Sequence, residues 1–488
     1  MFSSHRRAGT GIVFVETRDE AALLVALRRE SNGRPICVHY ATDGPVLAVN
    51  AQGRIDARPL GADVKPGLGS ALNWATDRAG NRILVIFDLS GPINNPGIWR
   101  RLISALPVIR ETGSTDNPLV ICASPSWSFS ADNPLRGLLP VLQQPIATRD
   151  EILAVLRNTA GAPKTDDYGP VLDALAGLTA ASAEQVAAES IVANSCQWVP
   201  SHLRKAREAA LKDGGLEIRP AVSAMGGLES LKDFFAAEVI PWAHDKLLAV
   251  RRMMFGGVPG VGKSYAAAGL AGMIGCECVE LSPSRCKGSL VGQSEANFRR
   301  ALKTIDALAA DAPLVCLIDE VDKLATSGLD GGASSGIFAE LLGWLDNRDS
   351  LAITICTLNR VDKIDAALES RFPCRWVFDL PCARERIEIA LIHAANLGAK
   401  DPGRVAEMVA HETEGFSARE LSTELIPTIL RRSNRAPDGD CVRAAAREIL
   451  PTSESQSEQL ETIRRAAAGM RPAGRKGVSP SGPARSIG

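Results

Sequence analysis

Residues 256–264 read Gly256-Gly257-Val258-Pro259-Gly260-Val261-Gly262-Lys263-Ser264, and no other stretch restricts the fold as tightly. From Gly257 they fit G-x-x-x-x-G-K-[ST], the spacing of a loop that cradles nucleotide phosphates. Glycines let the backbone turn tightly enough for several N–H groups to converge on one anion. The helix that follows aims its positive dipole end at the same point. Met253-Met254-Phe255 ahead of the loop reads as a strand, and Ala266 to Ile274 behind it as a helix that begins near Tyr265. That is the strand–loop–helix order the motif needs. Lys263 then supplies a point charge for the β- and γ-phosphates, and the Ser264 hydroxyl takes a Mg²⁺ position.

A chain of 488 residues is too long for one core. Residues 1–160 read as an α/β domain, with short apolar runs such as Ile83 to Phe87 and Leu119 to Cys122 typical of strands buried on both faces. No phosphate loop follows its first strand, where Glu16-Thr17-Arg18 stands, so this domain is expected to bind a partner and not ATP. Residues 161–219 read as a helical connector and 220–380 as the large α/β module around the phosphate loop. Residues 381–451 read as a small helical subdomain. There Ser417 and Glu420 form a capping box, and Pro427 marks a kink. Residues 452–488, rich in Ser, Gly, Pro and Arg, read as a mostly disordered basic tail with a helix around Gln459 to Ala468. No internal repeat is visible.

The net charge of −1 gives no bulk attraction to nucleic acid, and no apolar run is long enough to span a membrane. The 11 cysteines are odd in number and scattered, several inside apolar runs, as expected of reduced thiols in a cytoplasmic protein. Neither they nor the six histidines fall at zinc spacing.

The apolar run Leu314 to Ile318 ends in Asp319-Glu320. If this strand lies next to the phosphate-loop strand, Asp319 reaches the Mg²⁺ and Glu320 orients and polarises the attacking water. Asn359 follows the strand at Ala352 to Cys356, where its amide can reach the γ-phosphate or that water from the other side.

Together, Gly257 to Ser264, Ile318-Asp319-Glu320, Asn359 and Arg371 make residues 220–450 resemble an AAA-type ATPase. The resemblance is nearest to a branch typified by the product of a hypothetical chloroplast reading frame and also found in bacteria. It implies a P-loop NTPase fold, a parallel sheet between helices with a small helical lid. It also implies a ring, usually hexameric, with ATP and Mg²⁺ at each subunit boundary. Gly226-Gly227-Leu228 matches the motif whose backbone, around Met225 and Gly226, faces the adenine. Arg371 matches the arginine finger given to a neighbour's γ-phosphate, with Arg375 as its rival, and Arg419 matches the sensor-2 position. Leu290-Val291-Gly292 aligns with the loop that grips polypeptide, with leucine where an aromatic is usual. The expected function is ATP hydrolysis that remodels a macromolecular partner recruited by the N-terminal domain. The alternatives are an ATP-gated switch with slow turnover and a nucleic-acid motor or loader.

Overall fold

A computed structural model of the chain describes residues 10–474, except 18–19, 41–43, 60–65, 77–81, 111–117, 125–126, 128, 131, 136–137, 140, 144–145, 160, 162, 164–166, 223, 284, 287–292, 324–332 and 347–349. The chain divides into two compact units, residues 1–211 with 287–300 and residues 212–286 with 301–488.

In the first unit the strands are Ile12–Glu16 (β1), Ile36–Tyr40 (β2), Val46–Val49 (β3), Ile55–Pro59 (β4), Ile83–Phe87 (β5), Leu119–Ser124 (β6) and Val141–Gln143 (β7). They form one sheet in the order β4-β3-β2-β5-β6-β1-β7. From β2 to β7 every pairing is parallel, and β3 and β4 add an antiparallel edge. β1, β5 and β6 are buried along their whole length. Because side chains alternate along a strand, Ile12 and Phe14 enter one core while Val13 and Val15 enter another.

Helices Arg149–Asn158, Gly169–Leu175, Ala180–Ala193 and Pro200–Asp213 share a core of their own, in which Leu156, Leu175, Ala187 and Leu203 are fully enclosed. Most of residues 161–219, expected from the sequence to be a helical connector, is a packed helical cluster that also takes in residues 149–158. The reason is apolar spacing on each helix, which demands a partner face.

The second sheet comprises Leu216–Arg219 (β8), Arg252–Gly257 (β9), Cys278–Leu281 (β10), Leu314–Ile318 (β11), Ala352–Leu358 (β12), Cys374–Phe378 (β13) and Arg471–Pro472 (β14). Its order is β14-β13-β9-β12-β11-β10-β8, parallel throughout except for β8. β12 therefore lies between β9 and β11, and β11 is not the neighbour of the phosphate-loop strand that the sequence reading expected. Sequence order fixes neither neighbour in a parallel sheet, because each crossover can skip positions. The helices Ala383–Asn396, Pro402–Glu412, Glu420–Arg432 and Gly439–Ala446 form a separate core around Leu421, Leu425 and Ile429. At Pro427 the chain does not simply bend: a π-helical stretch, Glu420–Leu425, precedes it, and α-helix resumes at Ile426.

Set side by side, the two sheets share one topology. β2-β5-β6-β1-β7 in the first unit and β10-β11-β12-β9-β13 in the second are both parallel, with the first strand in the same interior place. In each unit a four-helix cluster follows the fifth of these parallel strands, β7 or β13. The sequence shows no repeat, yet the fold does.

Residues 452–474 are also not a tail. Leu460 and Ile463 make the buried stripe of helix Ser457–Ala466 and join the core that contains Phe255 and Phe378. β14 then extends the sheet beside β13. Residues 475–488 lie outside the described residues. Among the described residues no helix is long and apolar enough to cross a membrane.

Candidate active site

β9 ends against β13, and a Cβ on Gly257 would stand 2.4 Å from the Phe378 carbonyl oxygen, so only glycine fits where the loop leaves the sheet. Gly260 and Gly262 take φ of +87° and +93°, the left-handed region that costs other residues about 1–2 kcal/mol. Gly262 caps the helix Lys263–Ile274, which therefore begins two residues before Tyr265.

The loop opens on a cavity of about 740 Å³. Its walls include Gly226, Pro259 to Tyr265, Asp319, Glu320, Asn359 and Arg419. Three residues expected to face nucleotide do not line it. Val258 is fully buried, Gly257 is behind the loop, and Met225 packs on Gly269, where a Cβ would lie 2.1 Å from its sulfur. Gly226 does line it, held so close to the helix Ala383–Asn396 that a Cβ would stand 2.6 Å from the Ile389 nitrogen. The Gly227 N–H donates to Glu388 (2.9 Å), and the Tyr265 hydroxyl to the Ala224 carbonyl (3.0 Å).

Lys263 is the centre of the site. Its Nζ donates to the Gly257 and Val258 carbonyls (2.6 and 2.9 Å) and to Asn359 Oδ1 (2.9 Å). All three donors of the ammonium are thus in use. Burial lowers its pKa to about 8, against the opposing pull of Asp319, Asp322 and Glu320. The Asn359 amide in turn donates to Glu320 Oε1 (2.9 Å), so one side chain joins the lysine to the carboxylate.

Ser264 Oγ donates to Asp319 Oδ1 at 3.1 Å. A hydroxyl beside a carboxylate, open to the cavity, is an oxygen set that fits Mg²⁺, which takes one or two protein ligands and completes its shell with phosphates and water. Among the described residues no group of three or more His, Cys, Asp or Glu could hold a metal ion.

Glu320 sits at φ +52°, a left-handed backbone for a non-glycine residue. Such strain costs roughly 1 kcal/mol or more and persists only where surroundings hold it. Here Thr357 does so: its hydroxyl accepts from the Glu320 N–H (2.9 Å) and donates to Asp319. Lys323 hydrogen-bonds the Glu320 carboxylate and, with Asn359, holds its pKa below the usual value, so Glu320 is anionic at neutral pH. Asp322 is buried and accepts from the N–H groups of Asn359 (3.3 Å) and Arg360 (3.2 Å).

Arg419 lines the cavity, and its N–H donates to the Gly260 carbonyl (2.9 Å), which ties the small helical subdomain to the loop. Ser417 and Glu420 exchange the two hydrogen bonds of a capping box beside it. Arg371 does not line this cavity. Its guanidinium is 2.5 Å from Asp346 and 2.6 Å from the Ala367 carbonyl oxygen, and Arg375 pairs with Glu369. Leu290, Val291 and Gly292 lie outside the described residues.

The sequence reading missed Thr357, Asp322 and Lys323, and it missed the C-terminal wall altogether. Arg464, Ala467, Pro472 and Gly474 line the cavity, and Arg464 grips Asp379 through two 2.9 Å bonds. That pair is half exposed, so it contributes at most about 1 kcal/mol to stability; its effect is to close the wall. The one available signal was the Leu460/Ile463 spacing.

Residues 253–380 match the family model described as ATPase family associated with various cellular activities (AAA). The matched segment starts in β9 and ends just past β13, which places the loop, Asp319, Glu320, Asn359 and Arg371 inside it.

Residues 253–380 of this chain are an AAA domain.

The chain is similar to the uncharacterized AAA domain-containing protein ycf46 of Guillardia theta, 26% identical over 255 residues, 49% of this chain and 50% of that protein. A longer stretch is similar to human ATPase family gene 2 protein homolog B, 27% identical over 337 residues, 62% of this chain and 44% of that one. Against the crystal structure of the FIGL-1 AAA domain in complex with ADP, the TM-score is 0.44 at 19% identity, over 54% of this chain and 96% of the other. The chain spans about half the length of the first curated relatives it matches.

Proposed function

We propose that this AAA protein hydrolyses ATP in the cavity between the phosphate loop and the small helical subdomain, and uses the cycle to remodel a macromolecular partner. The observation that carries the reading is the continuous chain Lys263–Asn359–Glu320, which links the group that meets the γ-phosphate to the one that meets the attacking water. Phosphate oxygens compete with the loop's own carbonyls for the Lys263 ammonium. The N–H groups of the Gly260 to Ser264 turn, at the N-terminus of the following helix, bind the same anion. Glu320 orients and polarises the attacking water, held in place by Thr357, Lys323 and Asn359. Ser264 and Asp319 would hold Mg²⁺, which when bound neutralises charge on the phosphates.

Arg371 serves a neighbouring copy in this reading. It stays outside its own subunit's cavity, as a finger acting in trans requires, and hydrolysis then depends on assembly, taken to be a hexameric ring. Arg419 senses the phosphate from the small subdomain. The first unit recruits the partner, a protein in preference to nucleic acid given the net charge of −1. All 11 cysteines are unpaired, which suits a cytoplasmic location.

The test is Glu320→Gln. Turnover of Mg-ATP is expected to fall about 100-fold or more while nucleotide still binds, and the trapped form should copurify with its partner. Full turnover by Glu320→Gln, or by a strictly monomeric preparation, overturns the reading. A nucleic-acid motor would instead show salt-sensitive binding to DNA or RNA and turnover stimulated by it.

A further inference from the structure

The C-terminal segment reaches the catalytic chain at one point. Gln459, half-buried on the helix Ser457–Ala466, donates its Nε2–H to the backbone carbonyl of Asn359 at 3.1 Å. The N–H on the other side of Asn359 is held by Asp322, which also takes the N–H of Arg360. Asn359 is therefore clamped at both its backbone groups. Its side chain spans from Lys263 to Glu320, 2.9 Å to each.

Asn359 lies one residue beyond the end of β12, where no ladder hydrogen bond fixes it. A carbonyl left without its donor lets that peptide rotate, and an amide bridging two groups at 2.9 Å tolerates little rotation. The donor itself is well anchored. Leu460 and Ile463 seat the Gln459 helix in the core. Upstream, Thr452 Oγ1 donates to Glu420 (2.8 Å) and the Ser453 N–H to the Gly415 carbonyl (3.1 Å), on the small helical subdomain. Downstream, the Ala473 N–H donates to the Val377 carbonyl (2.9 Å) at the edge of the sheet.

We propose that Gln459 is a positioning residue for hydrolysis: through the Asn359 carbonyl it holds the Asn359 amide in register between Lys263 and Glu320. The proposal rests on the hydrolytic reading above. It makes the segment that looked like a tail a required part of the catalytic apparatus, although Gln459 itself touches neither phosphate nor water.

The experiment uses the full chain, with steady-state turnover of Mg-ATP, equilibrium binding of a fluorescent ATP analogue and thermal melting. Gln459→Met keeps the length and loses the donor. It is expected to lower kcat about five- to tenfold, with KM and nucleotide affinity within about twofold. Gln459→Lys, which can still donate to a carbonyl, should restore most of kcat. In an Asn359→Ala background, adding Gln459→Met should cost nothing further, because the two act as one unit. A full additional loss in that background, or a kcat unmoved by Gln459→Met, overturns the proposal. If Gln459→Met does not fold, the isosteric Gln459→Glu replaces it, and an unchanged kcat there is equally fatal. Absence of turnover in the unaltered protein would remove the hydrolytic reading itself. Turnover that responds to Asn359→Ala but not to Gln459→Met removes this inference alone.

Discussion

The parallel strands of the two sheets run in the same order, and the two units differ in the link that follows the first of them. In the first unit, residues 17–19 separate β1 from the helix Glu20–Glu30 in the sequence, and none is glycine. In the second, residues 258–262 link β9 to the helix Lys263–Ile274, and Gly260 and Gly262 take left-handed φ. Glu16 and Thr17 are buried at the place where the second unit turns outward. Both sheets even carry a strained acidic residue just after the third parallel strand, Asp88 at φ +57° and Glu320 at φ +52°. This topology supplies positions, and the loop supplies chemistry. A buried parallel sheet can be kept by apolar strands alone, while an anion site needs converging N–H groups.

The comparison breaks most directly at Lys263. Lys263→Ala is expected to weaken nucleotide binding by on the order of 100-fold, measured by titration with a fluorescent analogue. Residual binding at the original affinity would mean that the first unit holds nucleotide after all. Next comes Thr357→Val, which keeps the shape and deletes the hydroxyl joining Asp319 to the Glu320 N–H. A roughly tenfold fall in kcat is expected, from two lost hydrogen bonds at a strained residue, and an unchanged kcat would show that the strain is held elsewhere.

The pH dependence sharpens the contrast further. Lys263, lowered to about 8, loses its proton as pH rises through that value, whereas bound phosphate favours the charged form. Above pH 8, binding should therefore take up a proton and weaken by up to about tenfold per pH unit, visible as a buffer-dependent calorimetric enthalpy. Folding has the opposite slope from this group. The unfolded chain binds more protons between about 8 and the ordinary lysine value of 10.5, so the group's contribution to stability rises with pH across that window.

Gly260→Ala tests the loop's conformation apart from its charge. At φ +87°, with a Cβ 3.1 Å from Arg419 Cβ and Ser417 Oγ, it should cost about 1–2 kcal/mol, read from denaturant melts. Stability equal to the parent would show that the loop relaxes freely. The smallest effect belongs to Asp88→Asn. Asparagine accepts left-handed φ well, so turnover should stay within about twofold, and a large loss would give the first unit a part in hydrolysis.

Much of the site was legible because its chemistry is local. Gly257 to Ser264 carries its own strand, turn and helix, and Asp319-Glu320 follows an apolar run that can only be a buried strand. Thr357 and Asp322 were not legible, since a threonine ending one strand and an aspartate beyond another meet only after β12 and β11 pair. Gln459 lay farther off still, on a helix whose serine-rich surroundings argued for disorder.

Taken alone, the sequence determined the phosphate loop, the carboxylate pair and the α/β class, because each follows from short-range spacing of glycine, charge and apolar residues. Tertiary packing alone put β12 between β9 and β11, gave the parallel strands of both units one order, and brought Arg464, Ala467, Pro472 and Gly474 to the wall of the cavity. These depend on which buried faces find one another across the chain. No local pattern encodes that choice, because strand order in a parallel sheet and the docking of a distant helix are settled by the joint burial of surfaces far apart in sequence.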